Sequence, residues 1–193
     1  MTKMSRNLFL IASLSLIIAY FVPMWRITLD APQYPEGIGL NIWLNTIDGV
    51  NPNDLNNMNI LNHYIGMKEI VPDSIPELKI MPYVIAFMIL FGLIVYAARK
   101  KWLAWIWVVL FVVICIVGLY DYYLWGYDYG HDLNPKAAIK VPGMSYQPPL
   151  IGTKQLLNFT STSLPALGGI IIGLSILLGM TALYIDNRKG KQS

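Results

Sequence analysis

Charge is scarce in this chain, cysteine is nearly absent and histidine occurs twice. Acidic and basic residues make up 13% of the 193 residues against 55% hydrophobic ones, and mean hydropathy is +0.51. So apolar a composition excludes disorder, which requires few hydrophobic residues and high net charge. The one cysteine, Cys115, lies inside an apolar run, which excludes a disulfide scaffold and leaves no C-x-x-C for zinc. Neither a G-x-S-x-G elbow nor a Walker-type phosphate loop occurs, and the carboxylates are dispersed rather than paired, so no enzyme is expected.

What remains is a membrane protein. Four stretches, 8–25, 81–98, 102–120 and 164–185, are long and apolar enough for the roughly 20 helical residues that cross about 30 Å of hydrocarbon. The first follows Lys3 and Arg6 as a signal peptide would, but no small-x-small site follows it, so it reads as an uncleaved anchor. The expected organisation is a cytoplasmic tail with the first span (1–25), an outer loop (26–80), a helical hairpin (81–120), a second outer loop (121–163), a fourth span (164–185) and a tail (186–193). No ionisable residue falls in the middle of any span, which disfavours an ion-coupled transport path.

The formal charge of +3 hides a segregation. The presumed inner segments carry Lys3, Arg6, Arg99, Lys100, Lys101, Arg188, Lys189 and Lys191 against Asp186 alone, a net of +7. The loop 26–80 is −4 and the loop 121–163 is neutral. Cytoplasmic segments of bacterial inner-membrane proteins concentrate Lys and Arg, so both termini are assigned to the cytoplasm and both long loops to the outside. The charge therefore points to membrane lipid and not to nucleic acid. Rings at Trp102, Trp105 and Trp107, and again from Tyr120 to Tyr129, read as interfacial belts. Gly169-xxx-Gly173 permits close helix approach, more often within a chain than in a homodimer.

The outer loops are expected to form a small β-containing cap on a mainly α membrane protein. Ala31-Pro32-Gln33-Tyr34-Pro35-Glu36-Gly37 is a turn segment; Leu40 to Thr46 alternates as a strand, with Asp48-Gly49 as its turn; Asp54 would cap a short helix over 55–61. The second loop has too many prolines and glycines for a continuous helix and too many tyrosines and aliphatics for a free linker, so it should pack on the first. Asn158-Phe159-Thr160 fits a glycosylation pattern but reads as structure.

Both histidines, His63 and His131, fall outside with Met58, Met67 and Met144. Imidazole and thioether suit copper, the thioether favouring Cu(I). If 63–67 is one helical turn, His63 and Met67 share a face at i and i+4 and make half a site, completed by Met58, Met144 or His131. The competing role for each is structural: a hydrogen-bonded histidine and a methionine filling the core. A bis-histidine haem is disfavoured because neither ring lies within a span.

The strings Ala31 to Gly37, Leu61-Asn62-His63-Tyr64-Ile65-Gly66-Met67, Tyr129-Gly130-His131-Asp132-Leu133-Asn134-Pro135, and Pro148-Pro149-Leu150-Ile151-Gly152 followed by Asn158-Phe159 resemble a family of small polytopic bacterial membrane proteins. That family is associated with gene neighbourhoods of nitrous oxide reductase and its copper-delivery lipoprotein. The resemblance spans nearly the whole chain and implies a partner system: a periplasmic copper enzyme, its copper chaperone and an ABC transporter of the same cluster. Two roles follow as expectations, an accessory factor that holds or passes Cu(I), or a metal-free scaffold that docks the enzyme or chaperone.

Overall fold

A computed structural model describes residues 1–32, 34–156 and 158–189. Gln33, Lys191 and the rest of the last four residues lie outside the described residues. The chain is mainly helical with one small sheet. Three helices are long and apolar enough to cross a membrane: α3 (Pro76–Ala98), α4 (Lys101–His131) and α5 (Leu167–Lys189). The expected first span, 8–25, is not one long helix. Helix α1 covers Lys3–Ser15, tightens into a 3-10 segment at Leu16–Tyr20, and Trp25 already begins a strand. The change of pitch coincides with hydroxyls bonding back to the helix: Ser13 Oγ donates to the Phe9 carbonyl at 2.7 Å and Ser15 Oγ to the Ala12 carbonyl at 2.9 Å, which competes with the regular ladder.

The helices close into a ring in which α1 packs on α5 and α3, and α4 packs on the same two. Phe9 and Ala12 of α1 and Leu16 and Ala19 of the 3-10 segment are fully buried in one core with Met88, Trp107 and Phe111. Small residues let the backbones close up. A methyl at Gly92 would collide with Ser13, and one at Gly179 would lie 2.9 Å from the Trp107 ring. Buried hydroxyls then bond between helices, Ser5 Oγ to the Ala182 carbonyl at 2.9 Å and Ser175 Oγ to the Ala12 carbonyl at 2.7 Å, and the Trp107 indole N–H reaches the Met88 carbonyl at 2.9 Å. Gly168 and Gly169 seat the start of α5 against the backbone of Pro23 and Met24, whereas the side-chain position of Gly173 is open. Half of the Gly169/Gly173 pair is thus occupied within the chain.

Five antiparallel strands form the cap: β1 (Trp25–Ala31), β2 (Tyr34–Ile42), β3 (Ile47–Gly49), β4 (Gly152–Leu156) and β5 (Phe159–Pro165), in the order β3-β2-β1-β5-β4. Strands from both loops meet at its centre, where Ile27 pairs with Leu40 on one side and Ser163 on the other. Ile27 and Leu29 turn towards the core while Arg26 and Asp30 are exposed, the period-2 alternation of a half-buried strand. A second core, Ile38, Leu40, Ile47, Met58, Ile70 and Leu78, is sandwiched between the sheet and helix α2 (Asp54–Ile65).

Several boundaries differ from the sequence reading. The predicted strand 40–46 ends at Ile42; its turn is Trp43–Thr46, closed by a 2.8 Å backbone bond, and Asp48-Gly49 is strand β3. Tyr34 to Gly37, read as turn, belongs to β2 because Pro35 and Gly37 stand where the ladder to β1 is interrupted, between the Tyr34–Ala31 and Ile38–Leu29 pairs. Helix α2 runs past 61 to Ile65, and Asp54 is its first residue: its carboxylate accepts from the Gly39 and Asn51 amides, both at 3.0 Å, tying the helix start to β2. Helix α3 starts at Pro76, where proline costs no hydrogen bond. Leu164 is in β5 and not in the fourth span. The largest difference is α4, which continues through Tyr122 to His131 where a loop was expected. Its apolar stretch ends near 120, but nothing there breaks a helix until Pro135, and the cap supplies packing for the extra turns.

Candidate functional site

The C-terminal end of α4 is where the cap is seated. Helix spacing aligns Tyr122, Trp125 and Tyr129 on one side, with ring centroids 6.3 Å apart for the first pair and 4.4 Å for the second. The Trp25 ring meets Tyr122 at 5.5 Å, and its indole N–H donates to Ser163 Oγ at 2.8 Å, joining β1, β5 and α4 at one point. Beside this row, Gly126 and Gly130 leave a channel for the segment preceding β4. The Tyr146 amide donates to the Gly130 carbonyl at 3.0 Å, and a methyl on Gly130 would run into the Gln147 backbone. At Gly126 a methyl would meet nothing within 4 Å, and a void of about 10 Å³ remains there beside Tyr122 and Pro148.

A second fastening ties the end of α2 to the end of α4. Lys68 Nζ lies 2.7 Å from Asp128 and 2.9 Å from Asp132, two carboxylates one helical turn apart. Those hydrogen bonds, Asp128 first and Asp132 second, push the Lys68 pKa up. Around them the Tyr129 hydroxyl donates to the Glu69 carbonyl at 3.2 Å, the Asn134 amide to the Gly66 carbonyl at 2.8 Å and the Ile139 amide to the Tyr64 carbonyl at 2.9 Å. The clamp itself is exposed, so the backbone bonds and apolar contacts hold the position and the charges set it.

The five ligand candidates are distributed around this junction. His63 is exposed near the end of α2, its ring edge-on to Tyr64 at 6.2 Å. Helix α2 stops at Ile65 and Gly66 turns left-handed at φ 84°, so 63–67 is not a helical turn and the i, i+4 alignment of His63 with Met67 does not exist. Met67 is half-buried beyond that turn, and Met58, 5% exposed, is part of the cap core. His131 ends α4, stacked on Tyr127 at 4.0 Å with Nδ1 3.0 Å from the Tyr127 carbonyl. Met144 is half-buried in the turn that its amide closes with the Val141 carbonyl. Among the described residues no three His, Cys, Asp or Glu side chains gather as a metal-ion group.

Sequence reasoning assigned Tyr120 to Tyr129 to a membrane belt and so missed the row that carries the cap. The signal was available in the spacing of Tyr122, Trp125 and Tyr129 beside Gly126 and Gly130, a helical period with small residues next to it. No family model and no curated protein matches the chain.

Proposed function

We propose that the protein is a four-span anchor of the bacterial inner membrane, with both termini cytoplasmic, that presents its cap as a metal-free docking platform for a periplasmic enzyme or its chaperone. The observation that carries this reading is the single sheet made from both outer loops and seated on a helix that continues out of the membrane. A platform of this kind is already ordered before a partner arrives, which lowers the cost of binding. The resemblance supplies the partners: a nitrous-oxide-reductase-type copper enzyme, its copper chaperone and the ABC transporter of the same cluster.

The fourth span is α1 with its 3-10 extension. Thirteen α-helical and five 3-10 residues reach about 30 Å. Its outward residues Met4, Asn7, Ile11, Leu14 and Ile18 repeat by threes and fours, as do Ile80, Tyr83, Phe87, Leu90 and Ile94 on α3, the pattern of a bundle's lipid-facing backs. A reporter active only in the cytoplasm should work between Arg99 and Trp102 and fail at Asn53; activity at Asn53 would overturn the orientation.

A second reading, Cu(I) held between the cap's histidines, is favoured by one observation: His63 and His131 stand at the ends of the two helices that the Lys68 clamp joins. Anaerobic titration decides between them. The platform reading expects no stoichiometric copper, with retained binding of the purified enzyme or chaperone. Stoichiometric copper lost in a His63→Ala, Met67→Ala double variant would establish the copper reading instead, and copper that survives it would move the site to His131 and Met144.

A further inference from the structure

Helix α1 carries an open groove of about 480 Å³ on its outward side, at the end where the chain's basic residues collect. It is lined by Thr2, Lys3, Met4, Asn7, Leu8 and Ile11. Polar Thr2, Lys3 and Asn7 are interleaved with apolar Met4, Leu8 and Ile11 over roughly 13 Å of the first turns of α1. Two polar side chains here are unspent: Lys3 makes no ion pair and Asn7 no hydrogen bond among the described residues. Both are exposed on the back of a helix that is otherwise apolar on that side, and an unpartnered amide at the edge of hydrocarbon is costly.

The one acid nearby is engaged elsewhere. Asp186, 9% exposed, accepts the Thr2 amide at 2.7 Å and so tethers the start of α1 to α5. Lys3, Arg6, Arg99, Lys100, Lys101 and Arg188 therefore form a face with no anion paired to it among the described residues. Arg6 and Arg188 lie over the Tyr96 and Tyr184 rings at 4.8 and 5.1 Å, which marks the level of the interface.

We infer that this groove holds one anionic phospholipid of the inner leaflet, its phosphate on Lys3, its glycerol or ester oxygens on the Asn7 amide, and an acyl chain along Met4, Leu8 and Ile11. The charge excess at this end selects an anionic headgroup over a zwitterionic one. The inference rests on α1 being a span.

The test is native mass spectrometry of the full chain in detergent with phosphatidylglycerol or phosphatidylcholine of the same acyl chains. One phosphatidylglycerol should be retained in preference to phosphatidylcholine, and Lys3→Gln should lower that preference about fivefold, the effect of one cation near a lipid surface. Asn7→Leu should lower retention of both lipids. Lys100→Gln, which removes a cation outside the groove, should leave the preference in place. Equal retention of the two lipids, or equal losses from Lys3→Gln and Lys100→Gln, would overturn the site. The span is checked separately with Ile11→Cys in a Cys115→Ala background. Labelling of that cysteine in cells by a membrane-impermeant thiol reagent would sink the fourth span, whereas a protected cysteine without lipid preference sinks only the groove.

Discussion

The bundle and the cap are two solutions to packing in two solvents. In the bundle three of the helices are long and apolar enough to cross a membrane, where burying a side chain gains little, and the helices meet through backbone proximity at Gly92 and Gly179 and hydroxyl bonds from Ser5 and Ser175. In the cap the alternative to burial is water. There the core is aliphatic, Ile38, Leu40 and Ile47, under a hydrogen-bonded sheet, and burial itself drives the packing. The same chain therefore closes its helix–helix contacts with glycine and hydroxyl residues and fills the space under its sheet with aliphatic ones.

The bundle should break most sharply on added volume. Gly92→Ala places a methyl on Ser13 and within 3.1 Å of the Trp107 indole nitrogen, and a loss above about 4 kcal/mol is expected, read as failure to recover monodisperse protein. Combining it with Ser13→Gly should restore part of the yield, because the two residues compete for one space. The cap should break most on lost volume. Leu40→Ala removes a side chain 2% exposed and should cost about 2–5 kcal/mol in thermal unfolding of the purified protein.

At the seam between the regions, two glycines one helical turn apart should behave oppositely. Gly130→Ala drives into the Gln147 backbone and should loosen the segment before β4, seen as faster proteolysis there, with a cost of about 2 kcal/mol. Gly126→Ala has free space and should stabilise by up to about 0.8 kcal/mol through helix propensity. Equal effects would mean that the segment is not seated in this channel.

The smallest effect belongs to the clamp. Lys68→Met should cost only about 0.2–1 kcal/mol, and less in high salt, because all three groups are exposed. Its pH dependence has a definite sign. The folded pKa of Lys68 is raised above the ordinary 10.5, so the clamp's contribution is complete below 10.5 and is lost only as pH rises through the higher folded value. Proteolysis at residues 66–70 should therefore be unchanged between pH 7 and 9 and quicken only above that range.

Long apolar runs were legible because crossing hydrocarbon imposes a length and a composition that do not depend on neighbours: the runs 81–98 and 102–120 lie inside α3 and α4, and all but the first three residues of 164–185 inside α5, though the helix ends do not coincide. The packing of the two loops on each other was also foreseeable from their aliphatic and aromatic content. Strand β1 could have been found, since Trp25, Ile27 and Leu29 alternate with Arg26, Thr28 and Asp30, but the apolar run before it drew the first span too far. Strand β5, Phe159–Pro165, could not, because serine and threonine dominate it and only its pairing with β1 explains them.

Sequence alone determined the long apolar helices, the segregation of charge along the chain and its small stock of histidine and methionine side chains, because these follow from composition and local order. Tertiary structure decided which of them stand together. Gly66 ends α2 at Ile65, two residues short of Met67, so His63 and Met67 do not share a helix face; Met58 is drawn into the cap core, and the last turns of α4 remain helical because a sheet assembled from distant strands packs against them. Each of these depends on contacts between segments remote in the chain, and no local pattern carries that information.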